Sequence, residues 1–303
     1  MMVSNRGSVL ALLRWQSKSV LIYAAAGGVA AGLFVATEQL GWPPFTLPII
    51  PLSIVGAALG IFVSFRTNSA YDRWWEGRKL WGRLINTSRM FSTQALAYLP
   101  DEVEADRTRI VHRHAAYVHV LRCLLRRQDP LEDEDVAQHL SADELEALRG
   151  RSNMTHWLLD RQQRELVALS DAGHLDPFRL ASLDRSIMHL LDIQGGCERI
   201  KKTPLPRGYG FIAETLILYF SLLFPFTIVD ELHLLVIPAN VLVCLSFSLI
   251  SEAGRVLEDP FTLFWNGLPL MAMSRTIDVN VMEVMGVAEL PPLLKPDERG
   301  ILM

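Results

Sequence analysis

The chain alternates between long apolar runs without charge and long polar stretches. Four runs contain no Asp, Glu, Lys or Arg, and they are Val20–Thr37, Gln39–Phe65, Thr215–Val229 and Leu234–Ser251. About 20 apolar residues in a helix cross the roughly 30 Å hydrocarbon core of a bilayer. The pattern therefore predicts four membrane-spanning helices. The second is expected to begin near Thr46, after a turn that contains Pro43 and Pro44.

Lysine and arginine lie at one end only of each predicted span. They precede the first and third spans and follow the second and fourth, at Arg14, Lys18, Arg66, Arg73, Arg78, Lys79, Arg199, Lys201, Lys202, Arg207 and Arg255. The connections between spans one and two, and between spans three and four, contain neither residue type. Basic residues are enriched in the cytoplasmic loops of membrane proteins. Both termini and the whole middle of the chain are thus predicted to be cytoplasmic.

The middle of the chain, roughly Thr67–Pro206, has the amphipathic pattern of water-facing helices. Ser141 and Glu144 have the spacing of a capping box, and Asp176 precedes Pro177 as an N-cap residue would. No strand-like alternation of useful length is present. These patterns predict a helical cytosolic domain between the second and third spans.

The resulting fold class is an all-α membrane protein. Gly195 and Gly196 are expected to interrupt the last helix of the middle region. The predicted division is a cytosolic N-terminal segment at 1–19, transmembrane helices 1 and 2 at 20–66, a cytosolic helical domain at 67–207, transmembrane helices 3 and 4 at 208–253, and a cytosolic C-terminal segment at 254–303.

Composition agrees with this picture and excludes several kinds of protein. Half of the residues are apolar and 20% are charged, as expected for a membrane part joined to a water-facing part. The net charge of -4 gives no reason to expect nucleic acid as a partner. The three cysteines, Cys123, Cys197 and Cys244, are too scattered for a disulfide framework or a zinc motif. No catalytic motif is present, so neither an enzyme nor a cofactor is predicted.

Three histidines and an acidic run are the candidate metal ligands in the sequence. His112, His114 and His119 lie close together in sequence, but no acid is spaced along the chain to complete a site. We expect these histidines to have a surface or interface role and predict no metal site. The run Glu132–Asp135 is expected to be a solvated surface loop.

Three further segments resemble one known family. The first runs from Phe65 to Gly82 and reads FRTNSAYDRWWEGRKLWG, the second contains QGGCERIKKTPLP from Gln194 to Pro206, and the third is EDPF at Glu258–Phe261. In order and spacing they are similar to the signature stretches of bacterial bestrophins, although Gly77 replaces the alanine of that pattern. The chain is therefore identified as resembling a bacterial bestrophin over nearly its whole length.

The resemblance implies a homopentameric ion channel in the bacterial inner (plasma) membrane. Each subunit would contribute four transmembrane helices and a cytosolic helical domain, and the second membrane helix would line a central pore. The expected partners are further copies of the chain, membrane lipid and small monovalent ions, either chloride-like anions or sodium-like cations. No nucleic acid is expected.

The family pattern places an apolar pore neck at Ala57, Ile61 and Phe65. Their spacing of four residues puts all three on one helix face, and an apolar constriction can gate a wet pore by dewetting. Ala57 is smaller than the residue expected there, so the outer ring of the neck should be wider. The alternative is that these residues form one stripe of an ordinary packed span.

Below the neck the same face continues through Asn68 or Ser69 to Asp72. Five copies of Asp72 would concentrate cations, unless Arg66 or Arg73 pairs with the carboxylate.

The family also has a narrow cytosolic aperture, for which Leu175 or Phe178 is the candidate. The alternative for both residues is a core position in the cytosolic bundle. No acid follows Phe261 as far as Gly267, and calcium needs about 6–8 oxygen ligands. A calcium clasp like that of animal bestrophins is therefore not expected.

Two other functions remain as alternatives. A secondary transporter would be expected to show inverted repeats and broken helices with polar residues at mid-membrane, and the sequence shows neither. A membrane-anchored regulatory or interaction protein is harder to exclude, because the cytosolic middle is large enough to bind a partner.

Overall fold

The computed structural model describes residues 13–298 and 300–302, and this part of the chain contains helices but no strand. The helices are α1 (Ser17–Gln39), α2 (Ile49–Tyr98), α3 (Glu104–Arg126), α4 (Glu134–Ala137), α5 (Ala142–Leu148), α6 (Met154–Asp171), α7 (Pro177–Lys202), α8 (Arg207–Leu223), α9 (Val229–Leu232), α10 (Val236–Leu257) and α11 (Leu270–Val284). Short 3-10 helices lie at Asp101–Val103, Pro130–Glu132, Phe224–Thr227 and His233–Leu235.

The described chain forms two compact units. The first, which we call the membrane unit, comprises residues 13–74 and 204–258. The second, which we call the polar unit, comprises residues 75–203 and 259–302.

The membrane unit contains the four predicted spans. Four helical stretches are long and apolar enough to cross a membrane, and they are Ser17–Gln39, the first part of Ile49–Tyr98, Gly210–Thr227 and Val229–Leu257. The prediction of four spanning helices is therefore confirmed. Their common core includes Tyr23, Leu59, Val63, Ala213, Ile217, Phe220 and Cys244.

Close packing and one buried amide hold the spans together. A Cβ atom on Gly27 of α1 would lie only 2.9 Å from Cα of Ile237 on α10, so the two backbones can approach because Gly27 has no side chain. Nδ2 of the fully buried Asn240 donates to the carbonyl oxygens of Tyr23 at 2.8 Å and Ser221 at 3.1 Å. Asn240 thereby joins α1, α8 and α10 where lipid offers no alternative partner.

The connection between spans three and four consists of short helical turns. Asp230 and Glu231 lie within the single turn of α9, which follows one 3-10 helix and precedes another. His233 breaks the helical path with a positive φ of 47°. Acidic residues favour the first turn of a helix because the helix dipole is positive there.

Helix α2 continues far beyond its membrane-spanning part. Its 50 residues form one unbroken helix, which at 1.5 Å per residue is about 75 Å long. The FRTNSAYDRWWEGRKLWG segment lies in the middle of this helix and contains no proline. The membrane-spanning part of α2 and its polar continuation are therefore a single element, and the change from one unit to the other falls within it.

Helix α3 is the central element of the polar unit. Nearly every residue from Ile110 to Cys123 is buried, as expected for a helix covered on all sides. The Tyr117 hydroxyl donates to the Leu190 carbonyl oxygen of α7 at 3.1 Å. The capping predictions are confirmed: the capping box is present at the start of α5, and Asp176 caps the start of α7.

The expected interruption at Gly195–Gly196 is wrong. Helix α7 runs through both glycines from Pro177 to Lys202. A Cβ atom on Gly196 would lie 2.9 Å from a methyl carbon of Leu80 on α2. Gly196 therefore permits close packing of the helices and does not end one.

Candidate pore-lining surface

The candidate neck residues lie on a surface of α2 that the other described parts of the chain leave largely uncovered. Ile61 is 61% exposed and Phe65 is 68% exposed, and Ala57 is also exposed. Asn68, Ser69 and Asp72 continue the exposed surface towards the polar unit. We call these six residues the exposed stripe of α2.

The opposite side of α2 faces the core of the membrane unit. Leu59, Val63, Arg66 and Ala70 are all buried. A helix turns about 100° per residue, so these four residues fall within an arc of about 60° around the helix axis. Ala57, Ile61 and Asp72 lie on the opposite side of the helix. Ile61 and Phe65 are therefore largely uncovered by the other described spans of the single chain.

Arg66 fixes the orientation of α2 about its own axis. Its Nη1 donates to Ser251 Oγ at 3.0 Å and its Nη2 donates to Glu258 Oε1 at 2.8 Å, both within the membrane unit. The guanidinium is buried, and a buried charge is stable only when it is paired and hydrogen-bonded. Rotation of α2 to bury the exposed stripe would break both contacts.

Asp72 is left free by this arrangement. Nε of Arg73 donates to the Glu258 carbonyl oxygen at 2.6 Å, and Arg66 pairs with the Glu258 carboxylate. Within the described part of the chain Asp72 has no ion pair, so the expected alternative of an Asp72–arginine pair is not found. The Asp72 carboxylate can therefore interact with an ion or a polar group that faces the exposed stripe.

The two candidates for the cytosolic aperture differ sharply in exposure. Leu175 is 2% exposed and belongs to the core of the polar unit, whereas Phe178 in the first turn of α7 is 87% exposed. A residue that narrows an axial passage must project from its own subunit. The structure therefore favours Phe178 over Leu175 for that role.

The expected surface role is wrong for two of the three histidines. His114 and His119 are buried within the polar unit, and His112 is partly buried. Burial lowers the pKa of His114 to about 4, because the apolar surroundings disfavour its charged form. Neither ring nitrogen of His114 has a hydrogen-bond partner.

The acidic run is also less solvated than expected. Asp133 accepts from Arg122 at 2.7 Å and Asp135 accepts from Arg275 at 2.7 Å. Both arginines come from other helices of the polar unit, α3 and α11. Only Glu132 and Glu134 of the run are exposed, because the aspartates neutralise guanidinium groups that would otherwise be buried without a counter-charge.

The described chain has four apolar spans, a long helix with an uncovered stripe and a separate polar unit. These features define its class, which is a polytopic membrane protein whose second span faces outward from its own subunit. The chain matches the bacterial/fungal bestrophin family over residues 1–283 and belongs to that family. The resemblance drawn from the three sequence segments is thereby confirmed.

Named relatives and a solved structure agree with this assignment. The chain is 34% identical over 290 residues to a voltage-dependent anion channel-forming protein of Ralstonia nicotianae, covering 94% of this chain and 91% of the relative. It is 32% identical over 253 residues to a protein of the same description from Escherichia coli, covering 84% and 81%. A crystal structure of a bacterial bestrophin homologue from Klebsiella pneumoniae superposes with a TM-score of 0.81 at 31% identity, covering 88% of this chain and 97% of that chain.

Proposed function

We propose that this bestrophin is the subunit of a homopentameric ion channel whose pore is lined by the exposed stripe of α2. The observation that carries the proposal is the exposure of Ile61 and Phe65 on the same face as Asn68 and Asp72. Phe65 stands at the end of the predicted span, and Asp72 lies about 10 Å further along the same helix, so this uncovered face passes from apolar into polar residues. A water-filled axis shared by several copies suits both parts of the stripe.

The neck of this pore is formed by rings of Ala57, Ile61 and Phe65. Five copies of each bulky side chain around one axis make an apolar constriction that excludes water when narrow and passes ions when it widens. The ring of Ala57 is the widest of the three because its side chain is the smallest. Phe178, exposed at the start of α7, is proposed to narrow the passage again at the cytosolic exit.

The conducted species is proposed to be a small monovalent anion. This choice rests on the relatives, which are named as voltage-dependent anion channel-forming proteins. One observation favours a second candidate, a monovalent cation. Asp72 is exposed and unpaired in the described chain, and a ring of carboxylates raises the local concentration of cations.

The measurement that tests the function is the reversal potential of the purified protein in a planar bilayer with a tenfold salt gradient. An anion channel reverses near the Nernst potential of chloride, and a cation channel reverses near that of sodium. If Asp72 selects cations, Asp72→Asn shifts the reversal potential towards zero. The absence of any conductance from folded pentamers would contradict the proposal for either ion.

The channel is proposed to lie in the bacterial inner membrane with both termini in the cytoplasm. The four spans support a membrane location directly, and the basic residues flanking them support the cytoplasmic assignment. Lipid then contacts the apolar surface of the membrane unit outside the α2 stripe. The proposal requires no catalysis and no transport cycle, and the transporter and scaffold alternatives would leave the exposed stripe of α2 without a role.

A further inference from the structure

Two imidazoles and one carboxylate lie together inside the polar unit. His119 on α3 and Asp278 on α11 are each 0% exposed, and His139, two residues after α4, is 6% exposed. His119 Nε2 lies 2.8 Å from Asp278 Oδ2, and His139 Nε2 lies 3.6 Å from Asp278 Oδ1. One nitrogen or oxygen atom from each of the three lies within 4.8 Å of the other two. We call these three residues the buried cluster.

Two atoms of the buried cluster, His119 Nδ1 and Asp278 Oδ1, have no hydrogen-bond partner in the described structure. Asp278 Oδ1 is buried and makes no hydrogen bond, although it lies on the side of the carboxylate that faces His139. A buried polar atom without a partner costs about 1–3 kcal/mol, and more when it is charged. An electron-pair acceptor bound among the three side chains would remove that cost.

The outer nitrogens of both imidazoles face further polar groups. His119 Nδ1 lies 3.9 Å from Asp135 Oδ2, and His139 Nδ1 lies 3.1 Å from His112 Nδ1. In both rings Nε2 lies on the side of Asp278 and Nδ1 on the side of a second group, which only His139 Nδ1 reaches at hydrogen-bond distance. Metal-binding histidines commonly show this arrangement, because the outer partner fixes the tautomer and the orientation of the ring. His139 Nε2 also lies 3.4 Å from Nε2 of Gln138, a contact that a bound ion would replace.

The neighbouring aspartates are paired with arginines, so Asp278 is the carboxylate that remains for His119 and His139. Arg275 donates to Asp135 at 2.7 Å, and Arg122 donates to Asp133 at 2.7 Å. These pairs neutralise the two aspartates of the acidic run. Arg275 comes no closer than 3.9 Å to Asp278 Oδ2, which is beyond hydrogen-bond distance.

We propose that the buried cluster binds one Zn²⁺ ion through His119 Nε2, His139 Nε2 and an oxygen of Asp278. Two imidazoles and a carboxylate suit zinc, whereas Ca²⁺ and Mg²⁺ prefer oxygen ligands alone. Ligand atoms about 2.0–2.1 Å from a tetrahedral zinc ion lie about 3.3 Å from one another. The two nitrogen–oxygen distances, 2.8 Å to Oδ2 and 3.6 Å to Oδ1 of Asp278, lie on either side of that value, and all three ligand atoms lie within 4.8 Å of one another.

The ion would join three segments that are far apart along the chain. It would fasten α11 and the segment after α4 to the central helix α3, and so stabilise the polar unit. The proposal replaces the sequence prediction that the histidines bind no metal. It is independent of which ion the channel conducts.

The test is a Co²⁺ titration of the full-length protein in detergent, after removal of the affinity tag, treatment with EDTA and dialysis. Co²⁺ serves as a visible probe for a zinc site. We expect one Co²⁺ per chain with absorption bands of a four-coordinate site, displaced by Zn²⁺, together with a rise in the melting temperature on addition of Zn²⁺. His139→Ala should lower the Co²⁺ affinity at least tenfold. The control His189→Ala, which removes an exposed imidazole of α7, should bind Co²⁺ like the wild type.

Three results would overturn the proposal. The first is a wild-type protein that shows neither Co²⁺ absorption nor stabilisation by Zn²⁺, which would mean that the cluster is held by hydrogen bonds alone. The second is a folded His139→Ala variant with wild-type Co²⁺ affinity. The third is loss of binding in His189→Ala, which would move the site to the surface. The wild-type titration decides the question even if His139→Ala fails to fold.

Discussion

Neighbouring side chains of α2 have opposite surroundings. Leu59 and Val63 are buried in the membrane unit, while Ile61 and Phe65, only two residues away from them, are exposed. The buried ion pair of Arg66 with Glu258 holds the helix in this orientation. Substitutions on the exposed side of α2 are therefore expected to change ion flux without disturbing the core of the membrane unit.

Replacement of Phe65 by alanine is predicted to increase ion flux several-fold. The smaller side chain widens the apolar constriction and lowers the cost of keeping it wet. Flux is measured in liposomes that contain equal amounts of protein. Phe211→Ala is the matched control, because Phe211 is similarly exposed but lies on α8. Equal flux in the wild type and the Phe65 variant would argue against a neck at this position.

His114 is predicted to make the polar unit less stable in acid. Burial lowers its pKa from the ordinary 6.5 to about 4, so the unfolded chain binds more protons than the folded chain between these two values. Stability is then complete above pH 6.5 and falls as the pH drops towards 4. Melting temperatures measured across this range should show a smaller loss for His114→Leu than for the wild type. Parallel curves for the two proteins would contradict the prediction.

At the scale of helices, the packing of α1 against α10 depends on Gly27. Its missing side chain lets the two backbones approach, whereas a Cβ atom on the adjacent Gly28 would meet nothing within 4 Å. The pair therefore offers a substitution and a control on the same helix.

Gly27→Ala is predicted to destabilise the membrane unit by about 1–3 kcal/mol, because the added methyl group meets backbone that cannot easily move. Gly28→Ala should be neutral or slightly stabilising, since alanine favours the helix. Thermal melting in detergent measures both effects. A Gly27 variant as stable as the Gly28 variant would show that α1 and α10 do not pack as closely as the structure indicates.

The spans and helix starts were predictable from the sequence, because they depend on local patterns. Each apolar run is one continuous stretch of the sequence. The capping residues Ser141 and Asp176 accept hydrogen bonds from backbone groups only two or three residues further along the chain. The role of Gly196 was not predictable in the same way, since its contact, Leu80, lies on another helix. The exposure of Ile61 also depends on which face of α2 meets the other spans, and the apolar run alone does not contain that information.

The buried cluster was missed for a related reason. The sequence prediction looked for an acid close to the histidines along the chain, whereas Asp278 lies more than 150 residues after His119 and reaches it through the packing of α11 on α3. The family signature pointed to the fold, but no local pattern marks a site assembled from three distant segments.

For the molecule as a whole, we predict a pentamer. Light scattering of the detergent-purified protein should give about five times the subunit mass of 34.1 kDa after the detergent is subtracted. The exposed stripe of α2 explains why a single copy is incomplete, because Ile61 and Phe65 are left largely uncovered in one subunit. A stable monomer would remove the shared axis on which the pore depends.

The most direct test of the central claim is cysteine accessibility in the open channel. Cys123, Cys197 and Cys244 are all buried, so a charged methanethiosulfonate reagent should leave the wild-type current unchanged. We predict that the reagent blocks the current of Ile61→Cys in a planar bilayer and does not affect that of Phe211→Cys. A current through Ile61→Cys that the reagent leaves unchanged, or equal block of both variants, would contradict the claim that the exposed stripe of α2 lines the pore.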